Sequence, residues 1–164
     1  MALHRLVAAS SPLDPNSVYC NLLQVSHFGE TSFGAFSAGQ LVGSITAYCP
    51  PGRPDTLFVW QVAIDASMRG QGLAQRLLQT LVERCAGHGV RYVEASITPD
   101  NEASMRLFAR FAENNGLPSE RSVLFAKQLH FDGQHETEYL FRYGPLPTST
   151  TQNLCAPQPQ EETP

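Results

Sequence analysis

Residues 57–78 read LFVWQVAIDASMRGQGLAQRLL, and the fold turns on how this run divides. Its opening, LFVWQVAI, is rich in β-branched and aromatic residues with almost no polar interruption, the composition of a buried strand. From Leu73 the apolar positions Leu73, Leu77, Leu78, Leu81 and Val82 recur along one helix face, and Gly87 and Gly89 end the pattern. Between strand and helix lie Arg69, Gly70, Gln71 and Gly72. A strand that passes through a glycine turn into a helix gathers free N–H groups and the positive end of the helix dipole at one point, which suits an anion. Gly70 and Gly72 carry no Cβ to hold a ligand off the backbone, and Arg69 can add a charge-assisted contact.

Three phosphate motifs compete for this turn. A P-loop needs a Lys after its glycines, and none follows Gly72. A dinucleotide fingerprint needs Gly or Ala three residues beyond Gly72, where the chain has Gln75. What remains is Arg69-Gly70-Gln71-Gly72-Leu73-Ala74, an R-x-x-G-x-A loop.

Working outward, LHRLVAASS reads as the end of a helix, and SPLDPNSVYCNLLQVSHF as a loop with Asn16 or Ser17 capping a second short helix. SFGAFSAGQLVGSITAYC reads as two strands joined around Ala38-Gly39. Beyond the central helix, VRYVEASI reads as a strand and NEASMRLFARFAENNG as a helix capped by Asn101 or Asp100. SVLFAKQLHF and HETEYLFRYGP both read as extended, the second placing Glu136 and Glu138 on one face opposite Thr137 and Tyr139. The order predicts an α/β fold with helices packed on a mixed sheet. One domain over 1–145 is expected. The segment 146–164, rich in Pro, Gln, Thr and Ser, is expected to be a disordered tail.

Composition narrows the partners. With 42% hydrophobic residues in a chain of 164, a full core is affordable, and the net charge of -4 leaves no basic surface for nucleic acid. No apolar run reaches the ~20 residues of a membrane span. Cys20, Cys49, Cys85 and Cys155 are scattered, and no secretory leader is recognisable, so the chain reads as cytoplasmic. No metal site is expected: His130 and His135 lack a third ligand at usable spacing, and His27 and His88 are isolated.

The strand, R-x-x-G-x-A loop, helix, second strand and Asn-led helix together resemble the GNAT-type N-acetyltransferases. That resemblance implies a mostly antiparallel twisted sheet with helices on both faces, and acetyl-coenzyme A as cosubstrate. It further implies that Val62, Ala63 and Ile64 pair with pantetheine and supply a donor to the thioester carbonyl. By the same resemblance Arg69, Gly70, Gln71, Gly72, Leu73 and Ala74 would hold the pyrophosphate, and Asn101 and Ser104 the lower pantetheine. Such folds begin with an edge strand, which is absent ahead of the first helix here. Phe108 stands where many members carry a Tyr proposed to protonate the leaving thiolate, so another group or water must supply that proton.

PLDPNSVYCNLL (12–23), PPGRPDTLFVWQVAI (50–64), TPDNEASMRLF (98–108) and GQHETEYLFRYGP (133–145) resemble, more closely, the L-2,4-diaminobutyrate acetyltransferases of ectoine biosynthesis. This implies acetylation of the 4-amino group of L-2,4-diaminobutyrate, and a homodimer. Asp14, Tyr19, Trp60, His135 and Glu138 match that family's substrate pocket. Asp14 and Glu138 would hold ammonium groups, Trp60 would pack on the methylene chain or face a cation, and His135 would take the amine proton. Read without the resemblance, Asp14 before Pro15 can simply open a turn, Trp60 can be core, and His135 can be a solvated turn residue. A transferase for another small diamine or amino acid, or a non-catalytic acetyl-coenzyme A-binding module, stands as the alternative.

Overall fold

The computed structural model describes residues 1–11 and 13–147, so the expectation for the tail from 148 onward lies outside the described residues. The chain builds α1 (Ala2–Ala8), α2 (Val18–His27), β1 (Phe33–Ser37), β2 (Gln40–Tyr48), β3 (Thr56–Ile64), α3 (Leu73–Ala86), β4 (Tyr92–Ile97), α4 (Glu102–Asn115), β5 (Ser119–Phe125), α5 (Lys127–Phe131) and β6 (Glu138–Tyr143). The six strands form one sheet in the order β1-β2-β3-β4-β6-β5. All neighbours are antiparallel except β3 and β4. Among the described residues no strand precedes α1.

One face of the sheet carries the main core. Ile45, Leu57, Val59, Val93, Ala95 and Ile97 pack there under Leu78, Leu81 and Val82 of α3 and Phe108 and Phe111 of α4. Gly43 lets α3 settle close to the sheet, because a Cβ at that position would meet Leu73 at 3.0 Å and Leu77 at 3.2 Å. The opposite face is covered more lightly, by Leu3, Leu6 and Val7 of α1 against Ala63. Helices therefore lie on both faces.

A β-bulge in β3 decides which residues look which way. Thr46 pairs with Gln61 and Ala47 with Val59, so Trp60 is an extra residue that the ladder does not count. Val62 and Ile64 consequently continue the α3 face begun by Leu57 and Val59, while Gln61 and Ala63 look toward α1. The chain then meets β4 only over Thr56–Val59 against Tyr92–Ala95. Past that point the two parallel strands part and open a cleft at their C-terminal ends.

Three expectations need correction. SVLFAKQLHF is extended only to Phe125; from Lys127 it turns into α5, with the His130 ring nitrogen Nδ1 accepting from the Ala126 N–H at 2.9 Å. HETEYLFRYGP becomes a strand only at Glu138, so Glu136 does not share its face; Glu136 is drawn aside by an ion pair with Lys127. Leu146, assigned to the tail, belongs to the core: it is 5% exposed and its N–H donates to the Arg91 carbonyl at 2.7 Å.

Candidate active site

The cleft between β3 and β4 leaves backbone groups unmatched, and the register says which. The Asp65 N–H donates to the Val42 carbonyl at 2.9 Å, so that pair is bonded across to β2. Bonded and outward-turned residues alternate along an antiparallel pair. Ala63, opposite Ser44, is therefore tied to β2, whereas Val62 and Ile64 turn N–H and C=O into the cleft. The Arg69 Nε–H reaches the Ile64 carbonyl at 3.2 Å from that side. An extended chain bearing amides fits this free edge as an added strand, and the Val62 N–H is the donor positioned for a carbonyl oxygen within it.

At the cleft mouth, Asp65 caps the short turn Ala66–Met68 through the Ser67 N–H. Gly70 and Gly72 then take positive φ angles of 74° each, which only glycine adopts without strain. Gly72 is the N-cap of α3 and offers no side chain to its N–H groups. The amides of Leu73, Ala74 and Gln75 are thus left for an anion, and the space over both glycines is open. Arg69 stands exposed beside them, and Gln71 is fastened to the Ser67 carbonyl at 2.9 Å. These features fit a diphosphate joined to an amide-bearing arm.

On the far wall of the cleft, Asn101 caps α4 by accepting from the Ser104 N–H at 3.1 Å, so the sequence-predicted pair is joined directly. Phe108, 3% exposed, stacks on Tyr143 at 5.8 Å with rings nearly parallel. Burial raises the Tyr143 phenol to about 12, and its register opposite Val93 sets it back from the cleft end. The phenol that faces the helices at the cleft end is Tyr139, opposite Ile97.

The acceptor candidates gather on the α1 face. Trp60 is not core: it is 41% exposed and meets Tyr48 edge-on at 5.9 Å. The Asp14 carbonyl accepts from Gln61 Nε2 at 2.7 Å, which fastens the loop before α2 beside Trp60. The Asp14 carboxylate itself accepts the Asn16 N–H at 3.0 Å, the turn geometry that a plain Asp-Pro reading anticipates. Tyr19, on the first turn of α2, is 70% exposed. By register Glu138 lies on this same face as Glu94 and Ser96, across the cleft from Trp60.

His135 and Glu138 come together with a defined polarity. The His135 Nδ1 lies 2.8 Å from the Glu136 carbonyl, which can only accept, so Nδ1 carries the hydrogen. Nε2 is left facing the Glu138 carboxylate at 4.0 Å, and the ring rests 4.7 Å from Phe131. Asp100, which sequence reading considered only as a cap, adds a second carboxylate near His135. The Thr98 hydroxyl, then a backbone N–H and more weakly His135 hold its carboxyl below the ordinary 3.8.

One cluster was not foreseen. Glu94 is 1% exposed, and both its carboxyl oxygens accept from Arg53 Nη1, at 2.8 and 2.9 Å, while Arg142 donates to one of them. Arg142 in turn lies 3.8 Å over the Tyr92 ring. The only signals in the sequence were the odd Pro-Gly-Arg-Pro stretch and a Glu inside a strand. Among the described residues, no group of three or more His, Cys, Asp or Glu side chains gathers as a metal site, and no helix is long and apolar enough to cross a membrane.

A splayed parallel pair, a free strand edge and an uncapped helix N-terminus after R-x-x-G-x-A define an acyl-coenzyme A-dependent transferase, and the chain belongs to the acetyltransferase (GNAT) family, whose model matches residues 5–112. Within it, the chain is 48% identical to the L-2,4-diaminobutyric acid acetyltransferase of Methylotuvimicrobium alcaliphilum over 88% of its own length and 84% of that protein's. It is equally similar, at 48%, to the enzyme of that name from Streptomyces coelicolor, covering 88% of this chain and 86% of that one. Among solved structures, the diaminobutyrate acetyltransferase EctA from Paenibacillus lautus, in complex with its substrate L-2,4-diaminobutyric acid and coenzyme A, superposes with a TM-score of 0.81 at 41% identity. That match covers 88% of this chain and 87% of the other.

Proposed function

We propose that the protein transfers the acetyl group of acetyl-coenzyme A to the 4-amino group of L-2,4-diaminobutyrate, giving N4-acetyl-L-2,4-diaminobutyrate and coenzyme A, the family's step in ectoine biosynthesis. The observation that carries this reading is the pairing of a free β3 edge with a His135–Glu138 dyad across one cleft. The bound thioester supplies an activated acyl carbon. The Val62 N–H donates to its carbonyl oxygen, where negative charge grows during attack. Ile64 pairs with the pantetheine arm, Ala63 holds the strand to β2, and the amides from Arg69 to Ala74 take the pyrophosphate.

The diamine arrives with both amines protonated, and one must lose its proton to attack. The lone pair on His135 Nε2 accepts it, and Glu138 stabilises the imidazolium that results. Asp14 keeps the other ammonium oriented, and Trp60 packs against the short methylene chain. Tyr19 closes the pocket from α2. The nitrogen sheds a second proton as the tetrahedral adduct collapses and expels the thiolate, and with Phe108 unable to donate, water or another group in the cleft relays a proton to the sulfur.

The exposed apolar stripe Val18, Leu22 and Val25 on α2 supports a homodimer. Sedimentation should then return twice the 18.0 kDa of one chain.

The direct test is thiol release from acetyl-coenzyme A with L-2,4-diaminobutyrate, ornithine, diaminopropionate and a peptide amine. Release is expected to be fastest with diaminobutyrate. Coenzyme A binding without release to any diamine would leave only a binding module, and equal rates on the peptide would make it a general amine transferase.

A further inference from the structure

Four polar side chains lie buried in the layer between α2 and the sheet. Asn21 and Gln24 face inward from α2, and Thr46 of β2 stands directly opposite Gln61 of β3. All four are more than nine-tenths buried. Phe28, just past α2, rests on Tyr48 at 5.5 Å. One helical turn back from Phe28 is Gln24, and two residues back from Tyr48, on the same face, is Thr46, so Gln24 comes over Thr46. The Asp14–Pro15 stretch closes the circuit. Gln61 Nε2 donates to the Asp14 carbonyl at 2.7 Å, and Asn21 Nδ2 to the Pro15 carbonyl at 3.0 Å.

Within this ring the nitrogens are matched and the oxygens are not. Asn21 and Gln61 direct their N–H groups to those carbonyls, and Gln24 Nε2 lies 3.9 Å from the Cys20 sulfur. Asn21 Oδ1, Gln24 Oε1, Gln61 Oε1 and Thr46 Oγ1 are shielded from water and have no hydrogen-bond partner among the described residues, so no Lys or Arg offsets them. Acceptors gathered in this way build a negative potential in a dry layer, and leaving them unmatched is costly. Three carboxamide oxygens and a hydroxyl, all uncharged, are the kind of ligand that replaces water around a potassium ion. Without a carboxylate the set is too weakly charged for calcium or magnesium. Without His or Cys it does not suit a transition metal.

We propose that this ring binds a monovalent alkali cation, potassium being the probe. The ion draws the four oxygens together. Through Gln61 and Asn21 it fixes the two carbonyls that carry the loop before α2. That loop bears Asp14, and Trp60 adjoins Gln61, so an ion behind this wall sets its shape without touching the diamine. The effect on the acceptor rests on the diaminobutyrate reading, whereas the site itself does not.

Thermal melts in potassium chloride and in choline chloride of equal ionic strength test it, since choline is too large for the ring. The wild type should melt roughly 3–6 °C higher in potassium, with an effect that saturates as the salt is raised. Gln24→Met keeps the length and helix propensity of the side chain while deleting one oxygen, and it should melt alike in the two salts. Crystals soaked in thallium(I) acetate, whose cation scatters anomalously and is close to potassium in size, should show a peak inside the ring. Equal wild-type melts, an undiminished potassium effect in Gln24→Met, or no thallium peak there would overturn the site and leave ordered water as its filling. With the site upheld, the KM for L-2,4-diaminobutyrate should be about 5-fold lower in potassium than in choline, at unchanged coenzyme A affinity. A KM indifferent to the ion would overturn the link to the acceptor wall. No turnover of diaminobutyrate in either salt would sink the substrate reading alone, because the melts and the thallium peak stand without it.

Discussion

At the scale of single residues, the proposed chemistry rests on which nitrogen of His135 holds a hydrogen. The Glu136 carbonyl settles this locally, because it accepts from Nδ1 and leaves Nε2 open toward Glu138. His135→Ala should lower kcat/KM by about 10²–10⁴-fold and remove the acidic limb of its pH profile, with coenzyme A affinity unchanged by calorimetry. Glu138→Gln should raise KM for the diamine with coenzyme A affinity unchanged, since a neutral amide no longer attracts an ammonium group. His135 and Glu138 were legible in the sequence as residue types near a strand start. Their relation was not, because it depends on Glu136 turning aside to Lys127, a contact nine residues away along the chain. Asn21, Gln24, Thr46 and Gln61 were not singled out. Their unmatched oxygens are a property of packing between α2 and the sheet, which no local pattern encodes.

Strands and helices of ordinary length were legible because their periodicities are strong: α3 buries Leu73, Leu77, Leu78, Leu81 and Val82 as its spacing predicts. The five residues of α5 were not, since a single turn leaves no period to count. The joining of elements through charge was also out of reach. Arg53 and Arg142 lie 41 and 48 residues from Glu94, yet the three tie the loop after β2 to β4 and β6. Breaking a buried ion pair costs about 3–5 kcal/mol. Arg142→Ala should approach that range, because it also loses the stack on Tyr92. Arg53→Ala should cost less, its side chain being 47% exposed and its partner still paired to Arg142. Thermal melts that ranked the two the other way would mean that Arg142 is not the inner partner.

For the whole molecule, the sheet works as a divider, with α3 and α4 on one face and α1, Gln61 and Ala63 on the other. Its β3–β4 divergence is a long-range feature, visible only once both strands are paired and one is seen to stop short. Stability should also carry a signature of what the main core encloses. Burial raises the Cys85 thiol from 9.0 to about 11, and Tyr143 from 10.0 to about 12. Both groups hold their protons longer in the folded chain than in the unfolded one, so their contribution is complete below pH 9. It is lost as pH rises through 11 and then 12. Denaturant midpoints should therefore begin to fall above pH 9, and Cys85→Ala should flatten the first part of that decline. A midpoint that stayed level up to pH 11 in the wild type would argue against a buried thiol.

The bulge at Trp60 has a last consequence. Because the ladder steps over this residue, Trp60 keeps the outward side of Phe58, both packing on Tyr48, while the core pattern of Leu57, Val59, Val62 and Ile64 runs on without it. Position 60 is in effect a free letter inside a fixed word. The wall of the proposed acceptor pocket can vary there, for longer or bulkier amines, without respelling the core that holds the strand in place.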